Sequence, residues 1–365
     1  MPVGLENKEN HMKHRAIFHS LVATTMLMST VGISVAQTVF VPEGSANSVS
    51  VVDFKSKSII QRFQDLEAVH GMAVAREKQL FIAGSIAEIN DEAAKISKPA
   101  NMSAEDHAAH HPSSSMASDS ESKASKSLLT VVNFATGDVI RKIEVPGAVH
   151  HVAVTPDERF AIATHMLGNG ISIVNLSSLQ LEAFIPTGNN PNYLAFGEDP
   201  DLVYVSNAGN GTVSEVDLQR RIVRRNIIAG SSPEHMITDL SSGMLYVADA
   251  NEGQVLELNL GTGELRRTFY VGGEIHGLAQ TPDKQRLIAT VTDEDRLSSI
   301  NLLSNEIVSK PLSPAPYHLT VVQGTQSVFV SSRADSIVWS VNLSDLSVSE
   351  EIAIKGEGHQ MISLP

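Results

Sequence analysis

The chain has 365 residues, with 41 Asp and Glu against 27 Lys and Arg, a net charge of -14 and no cysteine. The missing cysteine removes disulfides, thiolate metal sites, iron-sulfur clusters and haem attached through Cys-x-x-Cys-His, so any metal must be held by His, carboxylate or Met. The acidic balance argues against a nucleic-acid surface, which needs a basic patch to displace counterions, and suits a protein that handles cations.

At the N-terminus, Lys13, His14 and Arg15 precede an apolar run over residues 16–33, and the small residues Ser34 and Ala36 follow it. This is the layout of a secretory signal cleaved after Ala36. The run is interrupted by His19, Ser20, Thr24, Thr25, Ser29 and Thr30, which argues against a membrane anchor. No second apolar stretch approaches the ~20 residues needed to cross a bilayer, so a soluble mature chain in the periplasm is expected.

From residue 38 onward the chain repeats one unit. Residues 38–41, Thr-Val-Phe-Val, form a short β-branched and aromatic run; a Gly/Asn/Ser turn follows, then an alternating run ending in Asp53 and a third run over 58–63. The pattern returns as Leu-Val-Tyr-Val-Ser-Asn from 202, as Met-Leu-Tyr-Val-Ala-Asp from 244 and as Val-Phe-Val-Ser-Ser from 328. Such runs are adjacent antiparallel strands. An apolar opening strand precedes each unit, making four strands, and the openings fall at His70, His150, Asn192, His235, His276, His318 and His359. Apart from a first interval of 80, the spacings are 41 to 43 residues. The N-terminus supplies three strands with no opening strand and the C-terminus one opening strand with no partners, so the two ends complete one blade and close a seven-bladed ring. These units resemble the YVTN family of repeats, whose consensus reads Leu-Tyr-Val-Ala-Asn, a Gly-rich turn and Val-Ser-Val-Ile-Asp. The resemblance implies an all-β, seven-bladed propeller as a single domain over 37–365 and leaves function open.

The long first interval holds an insertion over about 86–127, between the second and third strands of one unit. Its Ala/Ser/Lys/Glu/Asp composition cannot bury a core, and a mobile loop is expected. It carries His107, His110 and His111 beside Glu105 and Asp106, a His-rich tract of metal-binding type that opens on the face where the inner strands begin.

Inner strands of a propeller surround its channel, so equivalent positions converge at one mouth. Six of the seven openings are histidine: His70, His150, His235, His276, His318 and His359. His151 competes with His150 for the inward direction, and Asn192 with Tyr193 occupies the seventh unit. Neutral imidazoles suit Zn, Cu or Ni, and a subset of the six is expected to bind one ion, preferably zinc. His165 and Asp249, at the ends of second strands, could add a ligand or orient one. The bland alternative is a structural histidine at the corner of each blade, as in WD-type propellers. The chain lacks their Trp-Asp signature.

An exported propeller with these histidines and a His-rich loop resembles the periplasmic zinc metallochaperones of the AztD type. That resemblance implies zinc as cargo, no catalysed reaction and, as partner, a periplasmic zinc-binding protein of an ABC transporter. The rival expectation is a metal-dependent propeller enzyme, a lyase, lactonase or oxidase, with Glu234, Glu274 or Glu357 as general base. A metal-free interaction scaffold is the third.

Overall fold

The structure, a computed structural model, describes residues 37–89 and 125–365. The expected signal segment and the tract containing Glu105, Asp106, His107, His110 and His111 lie outside the described residues. The chain opens with β1 (Thr38–Glu43), β2 (Ser48–Asp53) and β3 (Ser58–Phe63), three strands of one sheet. Six complete blades follow. Blade one is β4 (Val69–Ala75), β5 (Leu80–Ser85), β6 (Lys126–Asn133) and β7 (Val139–Pro146). Blades two to six have as inner strands β8 (Val152–Val154), β12 (Pro191–Phe196), β16 (Pro233–Asp239), β20 (Ile275–Gln280) and β24 (Pro316–Val321). The last strand, β28 (Ile362–Leu364), pairs antiparallel with β1 and completes blade seven.

The protein is thus an all-β, seven-bladed propeller of four-stranded antiparallel blades, closed by its two ends as the repeat count requires. Closure covers the apolar faces that the end blades of an open ring would expose and pairs the inner edge of β1 with β28. The second strand of each blade is almost wholly buried and the outermost strand, such as β7 or the Val348–Ala353 strand, is mostly exposed. Apolar clusters fill the seven interfaces between neighbouring blades: Phe40, Phe63, Met72 and Phe81 join blades seven and one, and Ile288, Val330 and Trp339 join five and six. Blade seven adds a buried ion network. Glu43, fully buried, receives Arg62 through Nε at 3.0 Å and Nη2 at 2.9 Å, the hydroxyls of Ser48 and Ser50, and the backbone N–H of Lys355 at 3.1 Å.

The insertion departs from β5 at Ser85 and returns at Lys126, as the interval of 80 suggested. Its root is tied to the residues that lead into the inner strands: Ile86 N–H donates to Ala68 O at 3.0 Å, and Val149 N–H to Ser85 O at 2.9 Å. Among the described residues no helix is long and apolar enough to cross a membrane.

Candidate metal centre

Five of the seven inner strands begin with an irregularity that decides which side chains meet. In blade four Pro233 pairs with Asp249 and Met236 with Val247, so two residues, Glu234 and His235, oppose the single Ala248; a shift of one extra residue recurs in β4, β12, β20 and β24. A bulge of this kind re-aims side chains that a regular strand would send to opposite faces. It offers two consecutive positions to the channel in place of one. The first, nearer the mouth, is an upper row: His70, His150, Asn192, Glu234, His276, Tyr317 and His359. The second is a lower row: Gly71, His151, Tyr193, His235, Gly277, His318 and Gln360.

The six expected histidines therefore do not form a single ring, which is a correction to the repeat alignment. His235 and His318 belong to the lower row, and their partner from blade two is His151, not the expected His150. One nitrogen from each of His151, His235 and His318 lies within 4.8 Å of the other two. The ring centroids make a near-equilateral triangle of 5.1, 5.3 and 5.4 Å. Blades two, four and six supply the triangle. Glycine is needed in blades one and five, because a Cβ on Gly71 would lie 2.5 Å from His150 O and one on Gly277 2.6 Å from Tyr317 O.

The surroundings prepare these rings as ligands. Nδ1 of His151 lies 2.8 Å from Asn192 O, and since a carbonyl only accepts, the proton sits on Nδ1 and the lone pair on Nε2. Nε2 of His151, His235 and His318 is buried in each case without a hydrogen-bond partner. Burial first, and neighbouring imidazoles second, hold His151, His235 and His318 well below the usual histidine pKa, and His150 with them, so all four are neutral near pH 7. Three neutral imidazole nitrogens are the protein ligand set of a catalytic zinc and also suit copper or nickel. The residues fit a transition metal.

Hydroxyls on the second strands hold the bulges. Thr164 Oγ1 accepts from His151 N–H at 2.9 Å and donates to Asn192 O of the next blade at 2.9 Å. Ser206 does the same between Tyr193 N–H and Glu234 O, and Thr290 between Gly277 N–H and Tyr317 O. Gln360 closes the lower row. Its amide oxygen accepts from Met72 N–H and Val152 N–H, each at 3.1 Å, and its amide nitrogen donates to Val152 O at 3.0 Å. The C-terminal segment is thereby tied to blades one and two. Sequence reasoning missed these four residues; for Thr164, Ser206 and Thr290 the available signal was a Ser or Thr one place before the end of a second strand.

The upper row is chemically divided. On one side His359 stacks on His70 at 4.2 Å between centroids, and His70 meets His150 in a tilted contact at 4.7 Å. On the other, buried Glu234 lies 3.1 Å from His276 Nδ1, and His276 stacks on Tyr317 at 3.9 Å. Burial pushes the phenol of Tyr317 well above its usual range and that of lower-row Tyr193 to about 12.

His165 and Asp249 both have their polar atoms engaged within the fold. Nδ1 of His165 faces Gly147 O and Ala148 O at 3.2 Å each, and Nε2 meets Ser172 Oγ at 2.8 Å, so both nitrogens are engaged. Asp249 accepts from the N–H groups of Ser231 and Ser232, from Ser231 Oγ and from Gln254 Nε2. This position caps the loop entering the same blade's inner strand, and its polar groups are spent on that task.

No protein-family model matches the chain, and no curated protein does. Solved structures do. The hydrazine synthase of Kuenenia stuttgartiensis aligns at 13% identity and TM-score 0.64, over 84% of this chain and 93% of that one. The periplasmic gluconolactonase PpgL of Pseudomonas aeruginosa aligns at 11% identity and TM-score 0.67, over 90% and 99%. The dihydro-heme d1 dehydrogenase NirN, in complex with DHE, aligns at 12% identity and TM-score 0.60, over 89% and 74%. At these identities the likeness fixes the fold. It also overturns the expectation of a protein that catalyses nothing, since the scaffold shared over most of the chain is one on which a synthase, a lactonase and a dehydrogenase are built.

Proposed function

We propose that the protein is a metal-dependent propeller enzyme in which His151, His235 and His318 hold a zinc ion at the head of the channel. The observation that carries this reading is the set of three buried, neutral, converging imidazoles whose Nε2 atoms have no hydrogen-bond partner. A zinc bound there supplies Lewis acidity and a water ionisable near neutral pH. Of the three glutamates considered as bases, Glu234 alone lies in the upper row; Glu274 is more than a third exposed beside Arg333. Glu234 accepts the proton from the attacking group, and His276, 3.1 Å away at Nδ1, stabilises the carboxylate and shares that proton. The reaction class that suits these parts is hydrolysis or elimination next to a carbonyl, such as opening of a lactone. The reading takes the mature chain to be periplasmic, from the signal-like residues 1–36, and the neighbour named as a periplasmic gluconolactonase is in keeping with it.

Elemental analysis, zinc titration and a lactone-hydrolysis assay with zinc-loaded protein test the proposal. A single zinc per chain, lost in the combined His151→Ala, His235→Ala, His318→Ala variant, is expected, with turnover lost and zinc retained in Glu234→Gln. Zinc binding that survives the triple substitution sinks the site. Tight zinc with no turnover, handed on to an apo acceptor, sinks the enzymatic reading and leaves the site.

A further inference from the structure

The upper row roofs the proposed metal position, and its side chains interlock around most of the ring. Contacts run His359 to His70 to His150, and again Glu234 to His276 to Tyr317, with Tyr317 and His359 at 6.0 Å. Blade three breaks the sequence. Asn192 makes no side-chain hydrogen bond or ring contact among the described residues; its backbone oxygen alone is used, by His151 Nδ1, by Thr164 Oγ1 and, at 3.5 Å, by His150 Nδ1. It is 1% exposed, and its amide oxygen is buried without a partner. A buried acceptor left unpaired costs stability, and natural proteins keep few of them outside functional sites.

We infer that Asn192 is a substrate-reading residue, whose buried and unpaired Oδ1 accepts a hydrogen bond from a hydroxyl or amino group of the bound molecule. The chemistry follows from the groups at the break. Asn192 Oδ1 and the Glu234 carboxylate flanking it are acceptors, so the complementary ligand edge is a donor. A short polar side chain stands here, where five other blades carry a ring. The inference rests on the metal reading and adds the class of substrate, small molecules bearing a hydroxyl or amino group near the reacting carbonyl.

Cobalt(II) in place of zinc gives a test that does not depend on turnover, because carboxylate ligands binding at the metal change its visible absorption. Propionate and 3-hydroxypropionate are titrated into the cobalt protein and into its Asn192→Leu and Asn192→Asp variants. The parent should prefer 3-hydroxypropionate about five- to tenfold, the range of one neutral hydrogen bond. Asn192→Leu should lose that preference while binding propionate as before, and Asn192→Asp, which keeps the acceptor, should retain it. A preference unchanged in Asn192→Leu, or absent from the parent, overturns the role of Asn192 and leaves the metal site standing. Failure to take up cobalt at all overturns the site on which the inference rests.

Discussion

Two sets of buried polar groups occupy the same end of the propeller, one at the ends of the second strands and one on the bulged inner strands, and they treat their hydrogen-bonding capacity in opposite ways. Glu43, His165, Asn207 and Asp249, at equivalent places, spend their strong acceptors and donors on groups of the fold: backbone and hydroxyls in every case, with the Arg62 guanidinium for Glu43 and the Gln254 amide for Asp249. His151, His235 and His318 are buried to the same degree and leave Nε2 unpaired. Burial of a polar group is costly unless it is satisfied. The first set is therefore read as scaffold and the second as the candidate ligand set. Histidine identity and position in the repeat do not separate them; the fate of each nitrogen does.

The sharpest way to break the comparison is to remove a member of each set and measure stability and metal affinity together. Glu43→Ala leaves Arg62 unpaired beside a buried gap and should lower unfolding stability by about 3–5 kcal/mol, read from urea midpoints, with zinc affinity little changed. His235→Ala should do the reverse. It should cost the metal-free fold no more than about 1–2 kcal/mol, because His235 Nε2 has no hydrogen bond to lose, while zinc affinity falls at least about a hundredfold. Equal losses of stability from the two variants would erase the distinction.

Acid gives a graded version of the same contrast. The folded-state pKa values of His150, His151, His235 and His318 are depressed, chiefly by burial, so below about pH 6.5 the unfolded chain takes up protons that the fold refuses. The neutral-histidine stability is complete above that pH and is lost as pH falls, at about 1.4 kcal/mol per unit for each such imidazole. Urea midpoints of the metal-free protein between pH 7.5 and 5 should show that decline, and the triple His variant a flatter one. A smaller effect is expected from Thr164→Val, which removes the hydroxyl that joins His151 N–H to Asn192 O: about 1–2 kcal/mol of stability and a severalfold loss of zinc affinity, because the bulge that aims His151 is loosened.

What the sequence revealed follows from what repetition can encode. Seven opening strands at near-constant spacing, with three unpaired strands at one end and one at the other, dictate a closed seven-bladed ring, and β28 pairs with β1 accordingly. The identity of the triad was out of reach because a bulge suspends the two-residue alternation by which strand sides are read. At a bulge, His150 and His151 are equally eligible, and only the paired register of Val152 with Ala163 puts His151 in the row of His235 and His318. Gln360 was invisible for another reason. Its bonds to Met72 and Val152 span 288 and 208 residues and leave no local pattern.

His165 offers the smallest expected effect and the closest test of whether the fate of a nitrogen separates scaffold from site. It is a buried histidine at the mouth end, one residue from Thr164 and therefore close in sequence to the clamp on His151. Judged by residue type it belongs with the metal ligands; judged by its bonds to Gly147 O, Ala148 O and Ser172 Oγ it belongs with Asp249. His165→Gln, which keeps a polar side chain against those partners, should lower stability by about 1 kcal/mol and leave zinc affinity within about twofold of the parent. A zinc loss in His165→Gln comparable to that of His235→Ala would show that a nitrogen already engaged in the fold can still be released to a metal, and the hydrogen-bond criterion would no longer distinguish ligand from scaffold in this ring.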